Sequence, residues 1–501
     1  MYEERFVMAD LYQKLEEYAH TDYYPYHMPG HKRRLCGNVL AQTARWDITE
    51  IDGFDNLHAP EGILKSVQEK AATIYGAKES FFLVNGSTAG ILSAVSATVP
   101  QGGKFLMTRG CHKTVYHVAY LRNLDVKYLY PGLHEVFGCN LAVTAEQVEQ
   151  ALEADSDIKA VCIVSPTYEG LVADVEEIAK VVHKREIPLI VDEAHGAHLG
   201  FHSAWPKSSV RLGADIVIQS LHKTLPAPTQ TAILHVNGNL VDREELKKFL
   251  RIYQSSSPSY LFMAAMEEAI EITNDRSAEL FGNFLANWTE MCDKLQNCRY
   301  IHFLKELAMD IGKLVIRDSS HTFLGQQLYD ILLEKYHLQM EMAAGEYVLA
   351  MFTIGDTKEG YERLTEALLQ IDAECGREQI AEQAKVDKIA VSMAERTDTN
   401  KHTISVMQNA DINKQTLPKV KYKLCESWGK DTKEVLLQEA AGYVAGEFIN
   451  LYPPGIPLIV PGEIFTEELC GYLQDCISKG LNVQGLTERD NQFWVNCINE
   501  K

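Results

Sequence analysis

The sequence predicts an α/β protein built on a mostly parallel seven-stranded sheet, followed by a small α+β unit and a C-terminal α+β unit. Two observations predict the sheet. From about Lys65 the chain alternates helical patterns with strand-length apolar runs, the order expected of strand–helix–strand units. Many of those runs are apolar on both faces, as strands of a sheet covered by helices on each side must be. A third observation sets the later units apart: two strands and two helices between about Gly312 and Asp372 read as a small α+β layer, and a polar, charged stretch from Cys375 to His402 separates it from the rest.

Taken in order, Met8, Leu11, Tyr12, Leu15 and Tyr18 recur at helical spacing and predict a short amphipathic opening helix. A turn-forming loop follows at Tyr26-His-Met-Pro-Gly-His-Lys32. The predicted sheet strands are Ser80–Val84, Lys104–Met107, Val126–Tyr130, Ile158–Val164, Ile187–Val191, Asp215–Gln219 and Thr231–Val236. The small unit reads as a strand at Lys313–Arg317, a helix at Leu324–Tyr336, a strand at Tyr347–Ile354 and a helix at Thr357–Ile371. The polar stretch from Cys375 to His402 reads as a linker or an exposed helix. The expected organisation is an N-terminal segment (1–64), a large domain (65–300), a small domain (301–375), a linker (376–402) and a C-terminal domain (403–501).

The chain has 501 residues, 46% hydrophobic and 23% charged, with a formal net charge of -21. That charge argues against nucleic acid or an anionic membrane as partner, since both require a basic face. No apolar run reaches the roughly 18 residues of a transmembrane helix, and Met1-Tyr-Glu-Glu-Arg5 lacks the layout of a signal peptide. Eleven cysteines occur without CxxC pairs, which suits reduced thiols and a cytoplasmic location.

Two strand-end motifs carry the chemistry. Asp192-Glu-Ala-His195 follows the run Ile187–Val191, and Ser220-Leu-His-Lys223 follows Asp215–Gln219. A carboxylate and a lysine delivered by separate strands of one sheet suit pyridoxal phosphate (PLP): the lysine forms an imine with the aldehyde, and the carboxylate holds a proton on the pyridine nitrogen. Asp192 lies at the C-terminal end of its strand, where open α/β sheets place ligands. Asn85-Gly-Ser-Thr-Ala-Gly90 joins a strand to a helix, so backbone N–H groups with the Ser87 and Thr88 hydroxyls offer a phosphate site; an ordinary helix cap is the alternative. His195 is placed to meet cofactor or substrate, Ser220 to bind phosphate, and His222 to touch the phosphate or the substrate carboxylate. His112 can stack on a pyridine face, and Thr167 can reach the phenolic oxygen. Three imidazoles, His195, His198 and His202, raise a metal site as an alternative, but no Cys or further carboxylate joins them at ligand spacing, and no metal is expected.

Together these residues resemble the ornithine/lysine/arginine decarboxylases of bacteria, fold-type I PLP enzymes of the aspartate aminotransferase-like class. The matching pieces also include His27-Met-Pro-Gly-His-Lys32, Asp55-Asn-Leu-His-Ala-Pro60, Cys111-His-Lys113, Ser165-Pro-Thr-Tyr168, Ser256-Ser-Pro-Ser-Tyr260 and Tyr452-Pro-Pro-Gly-Ile-Pro457. The resemblance implies that Ser87 and Thr88 bind phosphate, His112 stacks on the ring, Asp192 pairs with the pyridine nitrogen, and Lys223 is the imine lysine, with Ser220 and His222 also on the cofactor. It implies a homodimer in which Ser256 and Ser257 reach the neighbouring subunit's phosphate, and it offers Glu447 for the distal cation of the substrate. Larger members carry an N-terminal domain resembling a response regulator. Here the His-Met-Pro-Gly-His motif begins at residue 27, so a short form is expected, similar to bacterial arginine decarboxylase, as a dimer or tetramer. Asp192-Glu-Ala-His195 replaces the Asp-Ser-Ala-Trp of the long enzymes, and Asn56 stands where many relatives have Asp.

The expected reaction is decarboxylation of a basic L-amino acid, arginine first, then lysine or ornithine. An aminotransferase, with Arg317 as its carboxylate-binding arginine, is the nearest rival. A decarboxylase of a non-basic amino acid and a non-catalytic PLP-binding protein are the others. Polyamine synthesis and acid resistance would leave the same sequence.

Overall fold

The structure, a computed structural model, describes residues 22, 24–26, 50, 54–393, 418–451, 456–478 and 480–500, with backbone alone at 25, 381–393 and 456. The predicted opening helix, the His27–Lys32 motif and residues 452–455 lie outside the described residues.

The first described strand, β1 (Tyr24–Tyr26), precedes the large domain. That domain holds β2 (Glu79–Leu83), β3 (Lys104–Thr108), β4 (Asp125–Leu129), β5 (Ile158–Val164), β6 (Leu189–Asp192), β7 (Ile216–Gln219) and β8 (Ala232–Val236). They form one seven-stranded sheet in the order β2-β8-β7-β6-β5-β3-β4. β8 pairs antiparallel with both β2 and β7, and the remaining pairs are parallel. The sheet is therefore mostly parallel and seven-stranded, as the two-faced apolar runs predict.

Those runs work by period-two alternation. In β5, Ala160 and Cys162 join the core on one face, while Val161 and Ile163 join the core on the other. Ile190 and Val191 of β6 divide in the same way, as do Ile218 and Val217 of β7. The Gly86–Thr98 helix packs on the first face, close to the sheet at Gly90. A Cβ at Gly90 would lie 2.6 Å from Leu83 Cδ1 and 2.9 Å from Ile218 Cγ2.

The small domain is an antiparallel sheet of β9 (Ile301–Phe303), β10 (Lys313–Asp318), β12 (Met342–Ala344) and β13 (Tyr347–Met351), preceded at its edge by β11 (Leu338–Met340). β1 pairs in parallel with β11, so Tyr24–Tyr26 attach to the small domain. Gly325–Glu334 and the long Lys358–Met393 helix accompany this sheet. The latter runs well into the stretch read as linker or exposed helix. The C-terminal domain holds β14 (Thr432–Leu436), β15 (Ile449–Leu451), β16 (Ile456–Ile459), β17 (Val483–Gln484), β18 (Leu486–Arg489) and β19 (Gln492–Ile498) in two three-stranded sheets. Among the described residues, no helix is long and apolar enough to cross a membrane.

Candidate active site

The site forms where β6 and β7 end side by side. Asp192 closes β6 in register with Ile218 of β7, and the chain leaves β7 through Ser220 into the one-turn helix Leu221–Thr224 that carries Lys223. Asp192 is buried, and its Oδ1 accepts from the Ala194 N–H at 3.2 Å. Burial pushes its carboxyl pKa up, and the nearby Lys223 pulls it down. Burial also lowers the ammonium pKa of Lys223, against the opposite pull of Asp192 and Glu341.

The second acid of the motif has a structural task. Glu193 accepts from the Ser208 hydroxyl at 2.6 Å, the Ser209 N–H at 2.7 Å and the Gln219 amide at 2.7 Å, all buried. The three imidazoles of this segment diverge. His195 Nε2 lies 3.0 Å from Lys223 Nζ, His198 Nε2 lies 3.0 Å from Asp310 Oδ1, and the ring of His202 stacks on Phe281.

Lys313 is a site residue that sequence reasoning missed. It opens β10 of the small domain, is 2% exposed, and sets its Nζ 2.9 Å from His195 Nδ1. One imidazole of the large domain thus lies between two lysines. A lysine at the head of a strand carries no signal of this in the sequence. Gly170 makes room for it: at φ +99 its backbone passes so close that a Cβ would lie 2.7 Å from Lys313 Cγ. Burial, then Lys223 and Lys313, push the His195 pKa well below the ordinary histidine value, so the ring is neutral.

The Thr167 hydroxyl of the Ser165–Pro166 turn accepts from the Leu171 N–H at 3.1 Å. The side chain this turn sends into the site is Tyr168, whose ring meets His195 edge-on at 4.6 Å and whose hydroxyl bonds Glu341. Glu341, between β11 and β12, is the second carboxylate that acts on Lys223.

At the other wall, Asn85 precedes the Gly86–Thr98 helix without capping it by its side chain, which leaves the first N–H groups of the helix for another acceptor. Ser87 and Ser220 hydroxyls meet there at 2.6 Å, joining the helix start to the end of β7. Thr88 is exposed on the same first turn. Ser255 N–H donates to Asn85 Oδ1 at 2.8 Å, so the exposed Ser256 and Ser257 hang beside this helix start. His112 caps the Lys113–Leu121 helix with its Nδ1 and stays open to solvent on one side. Surrounding protein, then Lys223, Lys113 and His117, push its pKa down to about 4. His222 Nδ1 donates to the Thr231 carbonyl at 2.9 Å.

Two further sequence candidates have other partners. Glu447 accepts from the Trp428 indole at 3.3 Å, in an aromatic group where Trp428 stacks on His117. It is not among the groups acting on Lys223. The Arg317 guanidinium is held by Glu346 and the Val136 carbonyl. It is therefore committed to a structural contact, which weakens the aminotransferase reading.

A half-buried lysine of lowered pKa, a buried carboxylate on the adjacent strand and an uncapped helix start bearing hydroxyls fit PLP at its aldehyde, ring nitrogen and phosphate respectively.

Comparison with known proteins agrees along the whole chain. Residues 9–347 match the family model described as Orn/Lys/Arg decarboxylase, major domain, and residues 404–499 match its C-terminal domain. An uncharacterized protein of Bacillus subtilis is 34% identical, with 98% of this chain and 99% of that protein covered. The arginine decarboxylase of Bacillus subtilis is 29% identical, with 98% of each covered. The crystal structure of the Francisella novicida lysine decarboxylase LdcF superposes with a TM-score of 0.73 at 18% identity, over 98% of this chain and 81% of that one. That last likeness speaks for the fold.

Proposed function

This chain belongs to the Orn/Lys/Arg decarboxylase family, and we propose that it converts a basic L-amino acid, arginine first, to the corresponding amine and carbon dioxide. The observation that carries this reading is the placement of Lys223 and Asp192 at adjoining strand ends, Asp192 buried and Lys223 half-buried, with Glu341 close by.

When bound, PLP supplies the electron sink for the pair released as the bond from Cα to the carboxylate breaks. Lys223 provides the amine that holds the aldehyde, and its low proton affinity keeps that nitrogen nucleophilic. Asp192 holds the proton on the ring nitrogen. Ser87, Thr88, Ser220 and the uncapped N–H groups hold the phosphate, with His222 near by and His112 over the ring. After carbon dioxide leaves, Lys223 or His195 delivers a proton to Cα. Glu341 is the better-placed carboxylate for the distal cation of the substrate, and Glu447 the alternative. Ser256 and Ser257, exposed beside the helix start, suit a homodimer with shared sites.

The test is carbon dioxide release from arginine, lysine, ornithine and several neutral amino acids, with wild type and Lys223→Ala side by side. Release from one basic substrate, lost in the variant, is expected. Keto-acid formation, or release from a neutral amino acid alone, would overturn the reading.

A further inference from the structure

We propose that Arg109 and Glu463 are a positioning pair: from the C-terminal domain, Glu463 pins the loop between β3 and the Lys113–Leu121 helix and so holds His112 over the cofactor ring. This rests on the reading of His112 as the residue that stacks on bound PLP.

The loop is short. β3 ends at Thr108 and the helix begins at Lys113, so Arg109, Gly110, Cys111 and His112 make the whole connection. Arg109 is held at each of its polar groups. Its N–H donates to the Leu129 carbonyl at the end of β4 at 2.8 Å, and its carbonyl accepts from the Tyr116 hydroxyl at 2.6 Å. Its guanidinium donates to Glu463 Oε2 at 2.8 Å and to the Leu458 carbonyl at 3.3 Å, both in the C-terminal domain. A charge-assisted pair of this kind fixes direction as well as distance, which an apolar contact does not. Glu463 is itself anchored: Oε2 also accepts from the Val460 N–H at 2.9 Å, and the Glu463 carbonyl accepts from the Ala445 N–H at 2.8 Å.

His112 lies three residues beyond Arg109. Its Nδ1 bonds to Thr114 of its own helix, so the ring follows the loop and the helix start wherever these are set. The C-terminal domain grips that helix further along as well. Phe448 meets the Tyr116 ring edge-on at 6.0 Å, and Trp428 stacks on His117 at 5.8 Å. The chain is therefore held by one domain on both sides of His112. Lys223 and His195 lie close enough for their charges to bear on that imidazole, so a shift of the loop is a shift at the cofactor.

The test is a double-mutant cycle on the full-length protein, with PLP as the probe. The two readouts are PLP affinity and the visible circular dichroism of bound PLP, which reports the asymmetry of its surroundings. Glu463→Gln should weaken PLP binding about tenfold, within the range of coupled neighbours, and reduce the dichroic band. In a His112→Ala background the same change should have no further effect on either readout. Equal effects in the two backgrounds would show that the pair acts on the fold at large and would overturn the proposal, as would a Glu463→Gln variant that binds PLP like wild type. If Glu463→Gln does not fold, Arg109→Lys decides: it keeps a cation beside Glu463 but lacks the planar fork that also reaches Leu458. It should reduce the dichroic band in the wild-type background and not in His112→Ala; an unchanged band would overturn the proposal. A His112→Ala variant with wild-type dichroism would overturn the placement of His112 and this proposal together. Neither readout uses substrate, so failure of every amino acid to release carbon dioxide would count against the proposed activity alone.

Discussion

Arg109 of the large domain and Glu463 of the C-terminal domain meet at 2.8 Å, with both side chains buried. Arg109 also reaches the Leu458 carbonyl and lies over the Tyr128 ring, 5.0 Å from its centroid. Glu463 accepts from the Val460 N–H as well. Removing one partner leaves the other charge buried and alone, a cost of about 3–5 kcal/mol. Arg109→Ala should therefore lower the urea midpoint sharply. A change within error would mean that the domains do not depend on this pair.

Asp192→Asn removes the carboxylate that would hold the ring proton while leaving the volume of the side chain nearly the same. A fall in kcat on the order of 10²–10³ is expected, by analogy with the loss of one preorganised electrostatic group. Steady-state kinetics at saturating PLP checks it, since weak cofactor binding alone would be rescued there.

Gly90→Ala places a methyl against Leu83 and Ile218, both core side chains of the sheet. Overpacking of this kind costs about 1–3 kcal/mol. The same push displaces the start of the helix that carries Ser87, so both the melting temperature and PLP affinity should fall. Calorimetry and cofactor titration measure the two separately.

Glu341→Gln and Glu447→Gln separate the two carboxylates proposed for the distal cation. A hydrogen bond to a charged group contributes about 1.5–3 kcal/mol, so the correct variant should raise KM for the basic substrate more than about tenfold. Glu341→Gln is expected to do so and Glu447→Gln is not.

His235 sets an acid limit on stability. It is buried between the Ser80 hydroxyl at 2.7 Å and Gln219 Oε1 at 3.1 Å, and burial pushes its pKa down to about 3. The unfolded chain, with an ordinary value of about 6.5, takes up this proton first as pH falls. Stability is therefore lost from about pH 6.5 downward towards 3, at about 1.4 kcal/mol per pH unit for this one group. His235→Gln should flatten that slope by the same amount in urea titrations at pH 6 and pH 5.

The sequence by itself determined the sheet and the principal chemistry. Apolar runs such as Ile158–Val164 divide by period two into two buried faces, and that pattern requires helices on both sides. Asp192 and Lys223 were legible because one ends a strand and the other follows one within a few residues, and the C-terminal ends of strands face the ligand. Only the tertiary structure decided what Glu193 does, since its partners Ser208, Ser209 and Gln219 come from later segments. The same holds for Lys313, Tyr168 and Glu341. His195 and Lys313 are 118 residues apart, and Tyr168 and Glu341 173 apart. Their meeting depends on how a separate small domain packs against the end of the sheet, and residue periodicity encodes only which face of an element is buried, not what that face will touch.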